Sequence, residues 1–157
     1  MPAEITLHIN GRKHTLEADP EEPLLYILRN DLELNGPKFG CGLQQCGTCM
    51  ILVNDQNEPT CLKPCVDFEG KKLETIEGLS EGDHLHPVQQ AFVDEQAAQC
   101  GYCINGMLIS AVALLRKNLS PDESEIREAL HQVICRCGTH SRFIKAVQRA
   151  AQTGKNF

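Results

Sequence analysis

Ile5, Leu7 and Ile9 alternate with Thr6 and His8, and the chain resumes after Asn10-Gly11. A period of two broken by an Asn-Gly pair predicts an opening β-hairpin whose second strand runs to about Glu17. Asp19-Pro20-Glu21-Glu22 then has the form of a helix cap, with proline in the first turn and an acid at the third position. Leu24, Leu25 and Leu28 supply the apolar face of a helix expected to end near Asn30 and to lie on the hairpin. Met50 to Val53 and Lys72 to Ile76 read as further strands. Residues 1–76 are therefore expected to form a small mixed sheet crossed by one helix.

Residues 77–86, with Gly78 and Gly82, form a natural linker, and beyond them the periodicity is helical. His86-Pro87 can start a helix carrying Val88, Ala91 and Phe92. Ile104 to Leu119 is apolar on most sides, which predicts a buried central helix. Ser120-Pro121-Asp122-Glu123 is a second cap-like stretch, expected to start a helix that uses Ile126, Leu130 and Val133. A last helix from about Thr139 would bury Phe143, Val147 and Ala150. The expected fold class is α+β, with an N-terminal sheet domain (1–76) and an all-helical C-terminal domain of four helices (87–157).

Each half is too short to bury a large core unaided, so a bound metal would add folding free energy. Nine cysteines in 157 residues supply the means. The formal charge is −6, and no basic stripe suits nucleic acid, which is excluded as a partner. The longest apolar stretch, Met107 to Leu115, is too short to cross a bilayer, so direct membrane insertion is not expected. No basic start precedes an apolar run at the N-terminus, so export by a signal of its own is not expected either. A disulfide scaffold would not need glycines packed among its cysteines, and the cysteine count is odd.

Eight of the cysteines fall into two groups of four. Cys41-x4-Cys46-x2-Cys49 has the plant-type [2Fe–2S] spacing, with Cys61 the leading fourth ligand and Cys65 its competitor. Gly40, Gly42 and Gly47 let the loop turn and bring its N–H groups towards sulfur. Structural zinc more often shows C-x2-C pairs, and remains the alternative for this half. Cys65 reads as a structural free thiol. In the second group, Cys100-x2-Cys103 and Cys135-x-Cys137 are placed at helix ends. There the N-terminus of the helix after Cys103 offers unpaired N–H groups to an anionic cluster. Cys100-x2-Cys103 alone could be a redox dithiol, and zinc is again the alternative. Arg136 stands between two of these cysteines, either compensating cluster charge or sitting in a surface ion pair. Two oxidised clusters with their eight thiolates would add about −4 to the chain's charge.

These spacings, with LRNDLELNGPKFGCGLQQCGTCMILV, QCGYCINGMLISAVALL and ICRCGTHSRF, resemble the small iron–sulfur subunit of the molybdenum hydroxylases, the xanthine oxidase family. The resemblance covers nearly the whole chain. It implies a ferredoxin-like (β-grasp) first domain and a helical second domain, each with one [2Fe–2S] cluster. Cys41, Cys46, Cys49 and Cys61 would bind the first cluster, and Cys100, Cys103, Cys135 and Cys137 the one nearer molybdenum. Gln99 and Cys137 would approach a molybdopterin held by a large partner subunit, and electrons would leave to FAD in another subunit or to a haem-containing cytochrome. The resemblance points to bacterial dehydrogenases of aromatic N-heterocycles such as nicotinate or isoquinoline, with the same role in an aldehyde dehydrogenase as the alternative. A stand-alone ferredoxin-like carrier or a regulatory iron–sulfur protein is the alternative of a different class. The complex is expected in the cytoplasm, free or held at the inner face of the membrane through a partner. Two departures stand out. Where relatives have proline after the second helical-domain cysteine, this chain has Asn105, expected to cap the helix instead. Where they have tyrosine after the last pair, it has His140.

Overall fold

The computed structural model describes residues 1–154 and 157; Lys155 and Asn156, within the expected helical domain, lie outside the described residues. The opening hairpin is β1 (Ala3–Ile9) and β2 (Arg12–Ala18), joined at Asn10 and Gly11 with φ of 51° and 75°. Both turn residues are left-handed, as the twist of a two-residue hairpin requires. The sheet is completed by β3 (Met50–Val53), β4 (Gln56–Pro59) and β5 (Lys72–Glu74), in the order β2-β1-β5-β3-β4. Only β1 and β5 run parallel among these pairs, so the sheet is mixed.

The hairpin β3–β4 is not among the elements expected from the sequence. Its turn is Asn54-Asp55, with φ of 48° and 66°, and that dipeptide directly after an apolar run is the signal that marks it. The helix on the hairpin also begins later than the Asp19 cap implies. Residues 19–22 form a turn in which Asp19 Oδ1 accepts from Glu21 N. Proline at 23 disfavours helical backbone at Glu22, so α1 (Leu24–Tyr26) starts after it and widens into a π-helical stretch, Ile27–Asp31.

A short α2 (Ile76–Leu79) follows β5. The helical half contains α3 (Pro87–Asp94), α4 (Ile104–Lys117), α5 (Glu123–Leu130) and α6 (His140–Gln152). His86 caps α3, its Nδ1 accepting from Val88 N and its own N–H donating to Gln89 Oε1. The cap of α5 is Asp122, not Ser120: Asp122 and Glu125 bond each other's backbone N–H at 2.8 Å. Pro121 keeps Ser120 out of helical backbone and leaves D-x-x-E as the capping pair. Ten residues of α4 are buried, and the helix touches α3, α5, α6 and β3.

β3 explains how the two halves become one body. Ile51 and Val53 face the sheet core with Leu7, Ile9 and Leu28, whereas Met50 and Leu52 face the helical core with Met107 and Ile109. A strand has two faces at a period of two, and here each face belongs to a different core. At the far end of α4, Arg116 Nη1 lies 2.7 Å from both Asp55 Oδ1 and Glu74 Oε2, a half-buried clamp between the domains.

Candidate metal centres

The first four thiols are positioned by a loop closed at its neck. Lys38 N donates to Thr48 O and Thr48 Oγ1 to Lys38 O, both at 3.0 Å. Arg29, from the π-helical stretch, donates to Asn35 O and Pro37 O and fixes the approach to that neck. Inside the loop, N–H groups point at sulfur: Leu43 N is 3.2 Å and Gln45 N 3.3 Å from Cys41 Sγ, and Cys41 N is 3.3 Å from Cys46 Sγ. Gly40 is required by contact, because a Cβ there would sit 2.7 Å from Cys46 Sγ. Thr48 Oγ1 lies 3.2 Å from Cys46 Sγ, and Thr60 N donates to Cys49 Sγ at 3.4 Å. Sequence reasoning misses the two threonines, although Thr48 lies between cysteines in the loop itself.

Cys61, at the end of β4, is buried beside Cys49 and Leu25. Cys65 is buried elsewhere, its thiol aimed at the carbonyls of Asp19 and Pro20 at 3.3 and 3.5 Å. The structure therefore groups Cys61, not Cys65, with the loop cysteines.

In the helical half, Cys103 is the N-cap residue of α4 and Cys100 stands in solvent just before it. Cys135 and Cys137 lie in the segment between α5 and α6, with Thr139 Oγ1 3.8 Å from Cys135 Sγ. Gln99 and Arg136 are exposed near these thiols in the chain. Tyr102 is half exposed, and its hydroxyl donates to Phe39 O, linking the two cysteine loops. His140 is in the first turn of α6, exposed and edge-on to Phe143. Asn105 does not cap α4. It is fully buried, and Nδ2 donates to Thr48 O at 2.9 Å and Met50 O at 2.8 Å. Cys103 occupies the cap position, which leaves Asn105 inside the helix and facing the sheet domain.

The thiols associate two by two. Cys41 touches Cys46 and Cys49 touches Cys61; Cys100 touches Cys137 and Cys103 touches Cys135. Among the described residues, no three His, Cys, Asp or Glu side chains converge as one bound ion would need. Two pairs side by side suit a [2Fe–2S] core, in which each iron takes two protein ligands. The N–H groups and hydroxyls around sulfur fit such an anionic group. Within each tetrad the thiols are driven apart: Cys41 is lowered and Cys61 raised in the first, and Cys100 and Cys135 are lowered and Cys103 and Cys137 raised in the second. Desolvation would raise Cys41, but the N–H groups of Gln45 and Leu43 outweigh it and hold the thiol down at about 7. Cys135 is likewise opposed by desolvation yet lowered to about 7, mainly by the Thr139 N–H. Burial pushes Cys61 up to about 11 and Cys103 up to about 12, with neighbouring thiols adding to the effect.

Residues 7–74 match the family model described as "2Fe-2S iron-sulfur cluster binding domain", and residues 75–148 match "[2Fe-2S] binding domain". The chain is 49% identical over 153 residues, 98% of each chain, to one of the subunits of nicotinate dehydrogenase from Pseudomonas putida. It is 41% identical over 145 residues to the alpha chain of isoquinoline 1-oxidoreductase from Brevundimonas diminuta, covering 92% of this chain and 95% of that one. The crystal structure of quinoline 2-oxidoreductase from Pseudomonas putida 86 shares the fold, with a TM-score of 0.92 at 35% identity over 97% of this chain and 95% of that one.

Proposed function

Because this chain belongs to the small iron–sulfur subunits of the molybdenum hydroxylases, we propose that it conducts electrons released by oxidation of an aromatic N-heterocycle. The whole-length likeness to subunits named for nicotinate and isoquinoline supports that substrate class. The observation that carries the electron-transfer role is the arrangement of eight thiols as four contacting pairs, two in each half. Cys41, Cys46, Cys49 and Cys61 would hold one cluster, and Cys100, Cys103, Cys135 and Cys137 the other. When bound, each cluster supplies one-electron storage, so two suit a two-electron centre in a partner.

The chain's own residues define two ends. Gln99, Cys100 and Cys137 form an accessible edge to meet the large molybdopterin subunit, with Gln99 and Cys137 nearest the pterin. Leu43 and Leu62, exposed beside the ferredoxin-type thiols, offer apolar surface for a partner carrying FAD or haem. The division into a ferredoxin-type unit (1–76), a linker (77–86) and a helical unit (87–157) assigns one tetrad to each unit. No helix among the described residues is long and apolar enough to cross a membrane. We propose that the complex works in the cytoplasm, free or held at the inner face of the membrane through a partner.

Metal analysis of the native complex tests this reading. The small subunit should contribute about four iron and about four acid-labile sulfide atoms, without zinc, and give two EPR signals on reduction. Stoichiometric zinc, or a single signal, would remove it.

A further inference from the structure

We propose that Asn105 is a positioning residue for electron transfer between the two clusters, its buried carboxamide fixing their separation. This rests on the reading of the eight cysteines as cluster ligands. Asn105 stands two residues after Cys103, and its Nδ2 bonds the carbonyls of Thr48 and Met50, which flank Cys49. One side chain thus joins the segment of one tetrad to the segment of the other.

Thr48 O also accepts from Lys38 N, whereas Met50 O needs a donor from outside the sheet. Met50 O points to the β5 side of β3, away from Pro59, and β5 pairs only with Leu52 and Val53. The tie has a cost that shows what the position is for: Asn105 Oδ1 is buried with no hydrogen-bond partner. An unpaired buried oxygen is unfavourable, and a leucine of similar size would avoid it. Only the two donors distinguish the residue the chain uses.

The backbone around Asn105 is packed to the limit. A Cβ on Gly106 would overlap Gly47 O, and one on Gly47 would lie 2.9 Å from Gln132 O. Ile134 N, beside Cys135, donates to Cys46 O at 3.0 Å. Segments 46–49, 103–106 and 132–135, each bearing ligand cysteines, therefore meet backbone to backbone. Asn105, fully buried, ties two of these three segments together. Electron transfer falls steeply with distance, so a small relaxation there would slow it without dismantling either site.

The test compares Asn105→Leu, which keeps shape and removes both donors, with Gly106→Ala, which keeps the donors and forces the segments apart. Asn105→Ser, retaining one donor, is the intermediate case. All are studied in the full chain assembled with its partner subunits, after iron and sulfide have been measured. The readouts are the low-temperature EPR splitting between the two reduced clusters and the rate of electron redistribution between them after flash reduction. Asn105→Leu and Gly106→Ala should retain both clusters, alter the splitting and slow redistribution severalfold, with Asn105→Ser between wild type and leucine. If Asn105→Leu keeps full iron with unchanged splitting and rate, the proposal is overturned. Should the leucine variant lose a cluster, the serine variant carries the same measurement; cluster loss in all three variants would also overturn it, since a residue that sets spacing alone is not needed for assembly. A wild-type chain lacking either reduced-cluster signal would instead remove the underlying ligand assignment.

Discussion

At the ferredoxin-type tetrad the chain wraps its thiols in its own backbone: N–H groups of residues 41, 43, 45 and 60 reach sulfur, and Cys49 and Cys61 are buried. At the helical tetrad two short segments deliver thiols to helix ends and leave Cys100 in solvent. The first site is finished by glycine-shaped loop geometry, whereas the second keeps an open edge that a partner must complete. N–H groups reach sulfur at both tetrads, so the difference lies in access: an electron can be taken up at the exposed edge beside Cys100 and passed to the more enclosed site.

The sharpest way to break the comparison is to disable each end in turn. With molybdopterin occupancy retained, Cys137→Ala should abolish reduction of both clusters by substrate, whereas Cys41→Ala should leave the helical cluster reducible and block delivery to the acceptor. Rapid-freeze EPR checks this, and normal reduction of the ferredoxin-type cluster in the Cys137 variant would reverse the assigned ends.

Within the wrapped site, Cys61→Ser should strongly change the ferredoxin-type EPR signal, while Cys65→Ser should spare both signals. Cys65 bonds carbonyls of residues 19 and 20 rather than joining the thiol pairs. An essential Cys65 with a dispensable Cys61 would contradict the grouping.

A smaller effect is expected far from both tetrads. Arg116→Ala strands Glu74, a carboxylate with only 15% of its side chain exposed, and should cost about 2–3 kcal/mol, below the full value for a buried pair because Asp55 remains half in solvent. Thermal unfolding at constant iron content measures it; an unchanged Tm would mean the clamp is passive.

The least effect is a pH dependence at the helical end. Burial, reinforced by the Arg116 charge, holds His86 below its usual 6.5. The unfolded chain therefore takes up a proton at this position before the folded one does. Stability from His86 should be complete above about pH 6.5 and decline as pH falls below it. His86→Asn, which can still cap α3 but does not titrate, should flatten that part of the Tm–pH curve; an equal slope in both proteins would assign the acid loss elsewhere.

The cysteine groups, the opening hairpin and the buried central helix are legible in the sequence because each is a local pattern: a spacing, a period or a run. The start of α1 is easily misplaced because Pro20 and Pro23 both look like first-turn prolines, and only the restriction on Glu22 separates them. The α5 cap is ambiguous for a similar reason, since Ser120 and Asp122 both offer an oxygen with an acid three residues on. Asn105 cannot be read locally at all. Its partners, Thr48 and Met50, are more than fifty residues away, and the need of Met50 O for a donor depends on where β5 ends.

The double-sided burial of β3 also bears on inheritance and transplantation. The chain matches two separate family models, which invites treating it as two interchangeable cassettes. Yet a cassette cut near residue 76 would carry Met50 and Leu52 with the helical wall stripped from them, and would leave the helices without the strand they close upon. Recombination that exchanges one half alone would have to match a strand face, two facing glycines and a carboxamide at once. The smallest piece that can be moved between complexes, by evolution or by design, is the whole relay.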